Sequence, residues 1–304
     1  MHIIPVLTGP TGAGKSSLLY GLHEDGLHFE VVSADAFQVY KRFDIGTAKP
    51  SASIRRELPH YLVDIVEPAD SFDAGDFVKC AETAIADILA RGTVPVVAGG
   101  TFFYIKALCD GIFNAPPVSS DIRAAIRDRI AHEGSAKLYA ELLEIDVEYA
   151  KKIHEHDIVR IARALEIYQA SGITFSVAHR QFHQPPKYQY KIISLDKERS
   201  VLYNDINSRV RQMCADGWQD EVRALLASGI TTAMPAFRAL GYREIAETIT
   251  SGLSLDVAIE RIAQKTRNYA KRQLTWARNM YGVSMLDIGE ARGLICELYS
   301  SFIL

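Results

Sequence analysis

The eight residues Gly9-Pro10-Thr11-Gly12-Ala13-Gly14-Lys15-Ser16 constrain this chain more than any other segment. They match the pattern G-x-x-x-x-G-K-[ST] and stand between the apolar run Ile3 to Thr8 and a helix start at Ser16 to Leu22, which is the context the pattern requires. Glycines let backbone N–H groups converge on phosphate oxygens, and the helix N-terminus adds partial positive charge. Lys15 neutralises a phosphate, and the Ser16 hydroxyl is the expected protein contribution to a Mg²⁺ shell. The segment is therefore read as a P-loop with Gly9, Pro10, Thr11, Gly12, Ala13, Gly14, Lys15 and Ser16 around a diphosphate. A motor or switch NTPase would add an apolar strand ending in an Asp that helps hold Mg²⁺. The candidate strand Val94 to Ala98 ends instead in Gly99-Gly100-Thr101. Small kinases remain, as do enzymes that bind a diphosphate as a leaving group.

The surrounding pattern is β-α-β. Apolar runs at Phe29 to Ser33, Tyr61 to Val66 and Val94 to Ala98 alternate with helical spacing over Phe72 to Leu89, capped by Ser71 or Asp73 and stopped at Gly92. Nearly all-apolar strands predict a parallel sheet covered on both faces. Pro5 and Pro95 lack a ladder donor and belong near strand starts. Between Pro116-Pro117 and Pro185-Pro186 strand signals vanish. Ile122, Ile126 and Ile130, then Ile158, Ile161 and Leu165, recur at helical spacing. The expected fold class is α/β, a P-loop NTPase-like parallel sheet flanked by helices with an all-helical insertion. The core is assigned to 1–115 and 191–304, the insertion to 116–190. After a return strand at Lys191 to Leu195 the remainder is read as helical, over Asn204 to Ser228, Tyr242 to Ser251 and Asp256 to Tyr281.

With 304 residues, 48% hydrophobic and 23% charged, the chain has the balance of a soluble globular enzyme. No run approaches the roughly 18 apolar residues of a spanning helix, so a cytoplasmic protein with no membrane partner is expected. Its four cysteines lie far apart, which suggests neither zinc nor a disulfide framework. Net charge is only −3, so any nucleic-acid surface must be local. One stretch fits: Arg261, Lys265, Arg267, Lys271, Arg272 and Arg278 have no Asp or Glu among them through Met285, and Tyr269, Trp276 and Tyr281 are interleaved.

Several further segments, taken together, resemble the tRNA dimethylallyltransferases. They are Ser33 to Tyr40 continuing through Asp44 to Pro50, Pro59 to Asp64, Gly99-Gly100-Thr101 with Tyr104-Ile105, and Arg160 with Arg163 to Glu166. Gly217 with Glu221 to Arg223, Leu240-Gly241-Tyr242, and Arg272 to Arg278 complete the set. The similarity runs from the P-loop to about Gly282. The cradle departs from the family's more frequent alanine-serine and threonine. Phe102-Phe103 replaces a smaller pair, and the zinc finger of eukaryotic relatives is missing, which implies the bacterial form.

The resemblance implies a donor, dimethylallyl diphosphate, and an acceptor, N6 of the adenine 3′ of a tRNA anticodon. Mg²⁺ is the implied cofactor, and a monomer without an obligate protein partner is expected. Lys15 and Arg223 are expected to meet the charge on the departing diphosphate. Asp35 is the expected proton acceptor, and Thr101 is expected to hydrogen-bond the adenine or Asp35. A stacked base must be flipped to reach them. Ala36, Phe37 and Gln38 are assigned to the RNA with Asp35 and Thr101, Gln38 as a reader of the adenine edge. From the insertion, Arg123, Val159, Arg160, Ile161, Ala162 and Arg163 are assigned to the same role. From the C-terminal part, Arg238, Gly241, Tyr242, Arg243, Arg272, Gln273 and Trp276 are assigned to it. Three alternatives stay open: an adenylate isopentenyltransferase acting on free nucleotide, a P-loop small-molecule kinase, and an RNA-binding module with a vestigial phosphate site.

Overall fold

The computed structural model describes residues 3–303. They form two compact units, one before Asp110 together with the chain from Lys187 onward, and one of 110–186. In the first, β1 (Ile3–Thr8), β2 (Phe29–Ser33), β3 (His60–Tyr61) and β4 (Val94–Ala98) alternate with α1 (Lys15–Glu24), α2 (Ala52–Glu57), α3 (Ala74–Ala90) and α4 (Phe102–Asp110). The second holds β5 (Ile112–Phe113), α5 (Ser120–Glu133), α6 (Ser135–Ile145), α7 (Val147–Ala150), α8 (Ile158–Ser171), α9 (Phe175–Gln181) and β6 (His183–Gln184). The chain then adds β7 (Gln189–Leu195), α10 (Arg199–Ala215), α11 (Trp218–Ala227), a 3-10 turn at Pro235–Arg238, α12 (Tyr242–Thr250), α13 (Leu255–Asn279), β8 (Val283–Leu286) and α14 (Ile288–Ile303).

Six strands form one parallel sheet in the order β3-β2-β4-β1-β7-β8. β1 and β4 are buried almost throughout, because helices cover both faces. One face packs Leu18, Leu19 and Leu22 of α1 with Ala291 and Ile295 of α14 against Leu7, Val31, Val96 and Ile193. Asp73 caps α3 with a capping box, and α3 turns Phe77, Ala81, Ile85 and Ile88 inward; burying the phenylalanine and isoleucine side chains stabilises by about 1.5–3 kcal/mol each. Pro95 lies near a strand start, second in β4, whereas Pro5 is third in β1; each stands in register with its other neighbour, and the β1–β4 ladder begins at Val6↔Val97, beyond both rings.

Three sequence expectations are corrected. Tyr61 to Val66 is not a full strand, since Leu62 and Asp64 adopt φ of 62° and 60° and break it after Tyr61. The helix read from Asn204 to Ser228 is two helices, broken at Gly217 with φ 96°. The tail is not wholly helical, because Val283–Leu286 adds a sixth strand beside β7. A four-residue edge strand is at the lower limit of legible alternation, and Val283-Ser284-Met285-Leu286 does not sustain it.

Helices α10 to α13 build a second core around Phe43, Trp218, Phe237 and Tyr242, with the Phe43 and Trp218 rings 4.7 and 5.4 Å from that of Tyr242. The insertion packs Ile126, Leu138, Leu142, Ile161 and Leu165. Its buried Asp146 accepts both the backbone and hydroxyl hydrogens of Ser176 at 2.7 Å. The unit is not all-helical, since β5 and β6 pair antiparallel. It spans 110–186, where the sequence places it at 116–190; the β5 strand lies before Pro116-Pro117. Among the described residues no helix is long and apolar enough to cross a membrane.

Candidate active site

The carboxyl ends of β1, β2, β4 and β7 deliver the glycine turn, Asp35, Gly99 to Thr101 and Lys197 to one edge of the sheet, where parallel α/β folds bind ligands. Gly9, at φ 136°, lies so close to β7 that a Cβ would sit 3.0 Å from the carbonyl of Leu195. Gly14, at φ 98°, caps α1 without any side-chain bond, so the first N–H groups of the helix face the cavity open. The cavity has a volume of about 450 Å³, and the turn lines it through Thr11, Gly12, Gly14, Lys15 and Ser16. Gly9, Pro10 and Ala13 shape the turn instead of lining it. Pro10 has no N–H, and the Ala13 N–H donates to the Pro10 carbonyl at 3.2 Å. The Thr11 N–H is also engaged, donating to Gln273 Oε1 at 2.9 Å.

Lys15 Nζ donates to the carbonyls of Gly9 and Pro10 at 2.9 and 3.0 Å. Burial and the neighbouring Arg209 guanidinium pull its pKa down to about 8, against the opposing charge of Asp35. An anionic ligand binds the ammonium form. Affinity for an anionic ligand is therefore expected to hold below about pH 8 and to weaken above it as free Lys15 loses its proton. The Kd for inorganic pyrophosphate measured from pH 7 to 9.5 checks this, and a flat profile refutes it.

Asp35 stands just beyond β2. Its Oδ1 accepts the N–H groups of Phe37 and Gln38 at 2.9 and 3.2 Å, and among the described residues no hydrogen bond reaches Oδ2. Thr101 is stitched alongside: its N–H donates to the Ala34 carbonyl at 3.1 Å, and its Oγ1 accepts the Ala36 N–H at 3.0 Å. Gly99 permits this approach, since a Cβ there would lie 2.0 Å from the Ala34 carbonyl oxygen. Asp35 lines the phosphate-side cavity and also a second one of about 280 Å³, whose walls include Phe37, Val210, Met213, Trp218, Leu240 and Ile262. Thr11, Asp35, Thr47, Arg209 and Tyr269 are common to both.

Arg209 carries no sequence assignment, and the sequence marks Tyr269 only as one of the aromatics interleaved in the basic stretch. Burial lowers the Arg209 pKa, with the Asp35 carboxylate opposing. Burial, then Asp35, pushes the Tyr269 phenol up to about 12. A signal for Arg209 existed: Leu202, Ile206 and Val210 mark the buried face of α10, and Arg209 adjoins that stripe. Arg223, assigned to the diphosphate, stands apart: its side chain is 54% exposed on α11 and pairs with Asp220, and it lines neither cavity.

The residues assigned to RNA divide. Phe37, Arg238 and Arg272 line the apolar cavity with Asp35 and Thr101, and Ala36 holds Thr101. Gln38 is engaged within the protein, donating to the carbonyls of Thr47 and Ala48 and accepting from Ser33, which braces the loop over the cavity. Gln273 is 3% exposed and bridges Thr11 to the Gly100 carbonyl. Tyr242 is fully buried with its hydroxyl on Glu221, and Gly241 turns the chain at φ 95° against Trp218. Ile161 is likewise in the core of the insertion and Ala162 packs against it, whereas Val159 is 78% exposed. Arg123, Arg160, Arg243 and Trp276 are exposed, and Arg163 lies partly covered beside Glu166. The basic stretch on α13 is less free than its sequence implies, because Arg261 pairs with Glu247 and Lys265 with Glu244, both from α12.

Gly241→Ala is accordingly expected to lower stability by about 1–3 kcal/mol, since a Cβ would sit 2.1 Å from the Trp218 ring. Thermal denaturation would register the loss, and an unchanged Tm with weakened RNA binding would restore the RNA assignment.

The IPP transferase model matches residues 38–280. The chain belongs to the IPP transferase family. Relatives agree along almost its whole length. It is 39% identical over 302 residues to tRNA dimethylallyltransferase 1 of Syntrophotalea carbinolica, covering 99% of this chain and 96% of that protein. It is 42% identical over 276 residues to the tRNA dimethylallyltransferase of Geobacter metallireducens, covering 90% and 88%. The crystal structure of the tRNA isopentenylpyrophosphate transferase from Bacillus halodurans is similar at TM-score 0.72 and 33% identity, over 99% and 98% of the two chains. A eukaryotic dimethylallyltransferase acting on tRNA is similar at TM-score 0.78 and 27% identity, over 95% of this chain and 74% of that one. The glycine turn precedes the segment matched by the IPP transferase model, but the alignment to the Syntrophotalea carbinolica protein, over 99% of this chain, spans it.

Proposed function

We infer that this family member is a tRNA-prenylating enzyme, moving a dimethylallyl group from dimethylallyl diphosphate to N6 of the adenine 3′ of a tRNA anticodon and releasing diphosphate. The observation that carries the reading is the wall of Asp35, Arg209 and Tyr269 common to a phosphate cradle and an apolar chamber. A diphosphate on the glycine turn holds C1 at that wall, and the chamber receives a flipped adenine with Phe37 beside it. The N6 lone pair forms the new bond to C1 as the C1–O bond breaks, and the electron pair of that bond leaves with diphosphate. Lys15, Arg209 and the open N–H groups of α1 meet the growing oxygen charge. Oδ2 of Asp35 takes the N6 proton, and the Thr101 hydroxyl steadies the base.

The residues present fit Mg²⁺ as a guest of the substrate. Ser16 lines the cradle, and among the described residues no cluster of three or more acids, histidines or cysteines is built to cage a metal. A small hard cation held by one hydroxyl and by phosphate oxygens suits that arrangement, and when bound it neutralises leaving-group charge. Arg123, Val159 and Arg160 of the insertion, with Arg238, Arg243, Arg272 and Trp276 of the core unit, are proposed RNA contacts through phosphates and stacking. A cytoplasmic site of action belongs to the same reading.

The test is incubation with dimethylallyl diphosphate, Mg²⁺ and a tRNA bearing adenine 3′ of the anticodon, followed by mass analysis of digested nucleosides. Prenylated adenosine is expected, and a guanine at that position should abolish it. Transfer to free AMP alone would indicate an adenylate isopentenyltransferase. Phosphoryl transfer from ATP to a small alcohol would indicate a kinase.

A further inference from the structure

Lys197 and Asp205 lie in the phosphate-side cavity but have no part in the chemistry above. Lys197 follows β7 and Asp205 projects from α10; their side chains form an ion pair. Lys197 Nζ is also 3.5 Å from the Gly12 carbonyl, which sets the ammonium over the glycine turn. Lys15, by contrast, is tied to carbonyls inside the turn. The two side chains are 29% and 45% exposed, and a pair so wetted contributes little to fold stability. Its location is the informative feature, because a carboxylate that faces an anion's cavity opposes the ligand unless a cation covers it.

We propose that Lys197 is a second cation for the diphosphate, held in reserve by Asp205, and that Asp205 reclaims it when diphosphate leaves. The proposal rests on the reading of this cavity as a diphosphate cradle. The compact ammonium on a flexible four-carbon stem can exchange one anion for another without rearranging the backbone. In the free protein the pair is neutral. With ligand bound, Lys197 turns to a phosphate oxygen, and Asp205 is left uncovered at the cavity, its charge opposing the ligand through partial solvent screening. Asp205 therefore competes with the ligand, and the two residues of one ion pair must act in opposite directions on affinity.

Calorimetric titration with inorganic pyrophosphate at fixed Mg²⁺, without RNA, tests this. Lys197→Met is expected to raise the Kd about tenfold, the loss of one charge-assisted contact. Asp205→Asn is expected to lower it by about threefold and to slow pyrophosphate dissociation, and the double variant should follow Lys197→Met. A merely structural pair would weaken binding in both single variants or in neither, and either result overturns the proposal. Lys15→Ala separates the two levels of inference. If it weakens binding while Lys197→Met does not, only this proposal fails. If Lys15→Ala leaves binding unchanged, or the unsubstituted protein binds no pyrophosphate, the diphosphate reading of the cavity fails with it.

Discussion

Asp35→Asn is expected to lower the single-turnover rate of prenyl transfer by about 10²- to 10⁴-fold, the usual contribution of a general base, while tRNA affinity stays within a few-fold. The asparagine carbonyl can still accept the Phe37 and Gln38 N–H groups that Oδ1 holds, so the loop survives and only the basicity at Oδ2 is lost. The measurement is a rapid-quench rate with donor and tRNA both saturating, beside a fluorescence anisotropy titration of the RNA. A variant of near-normal rate would remove Asp35 as the proton acceptor. Weakened RNA affinity with an unchanged rate would make it a binding residue instead.

The second large effect separates two arginines that the sequence cannot rank. Arg209→Ala is expected to reduce kcat/KM for dimethylallyl diphosphate by about 10²- to 10³-fold, as removal of one donor to a developing anion does. It faces both cavities across from Asp35, where burial strengthens its charge interactions. Arg223→Ala should stay within about threefold, because a guanidinium paired with Asp220 in solvent contributes little. Steady-state kinetics in varied donor at saturating tRNA decides between them. The reverse ranking would mean that α11 supplies the leaving-group cation, and the site described above would have to be redrawn.

The two arginines also show where reading a sequence stops. Glu221 to Arg223 stood out because it resembles a family segment. What that segment does is fixed by Glu221, whose carboxylate accepts from the backbone of Asp44 and Ile45 and from the Tyr242 hydroxyl. Burial raises the Glu221 pKa. A motif thus marked a structural brace, while the cation on the cavity wall came from a helix with no motif around it. Gln273 and Tyr242, also singled out by resemblance, tie elements together in this structure, Gln273 joining Thr11 to Gly100 and Tyr242 holding Glu221.

The sequence by itself determined the P-loop, the parallel α/β sheet and the strand-end position of Asp35 and Thr101. Each is dictated locally, by glycine conformations, by apolar runs and by the turn that must follow a buried strand. Only the tertiary structure decided which charges meet. Arg209 and Tyr269 meet Asp35 from far along the chain, the nearby Lys197 and Asp205 are brought over the glycine turn, and the acids that pair with Arg261 and Lys265 lie on another helix. Coulombic interaction and desolvation depend on distance through space and on what excludes water, and the order of residues along a chain specifies neither until the helices have packed.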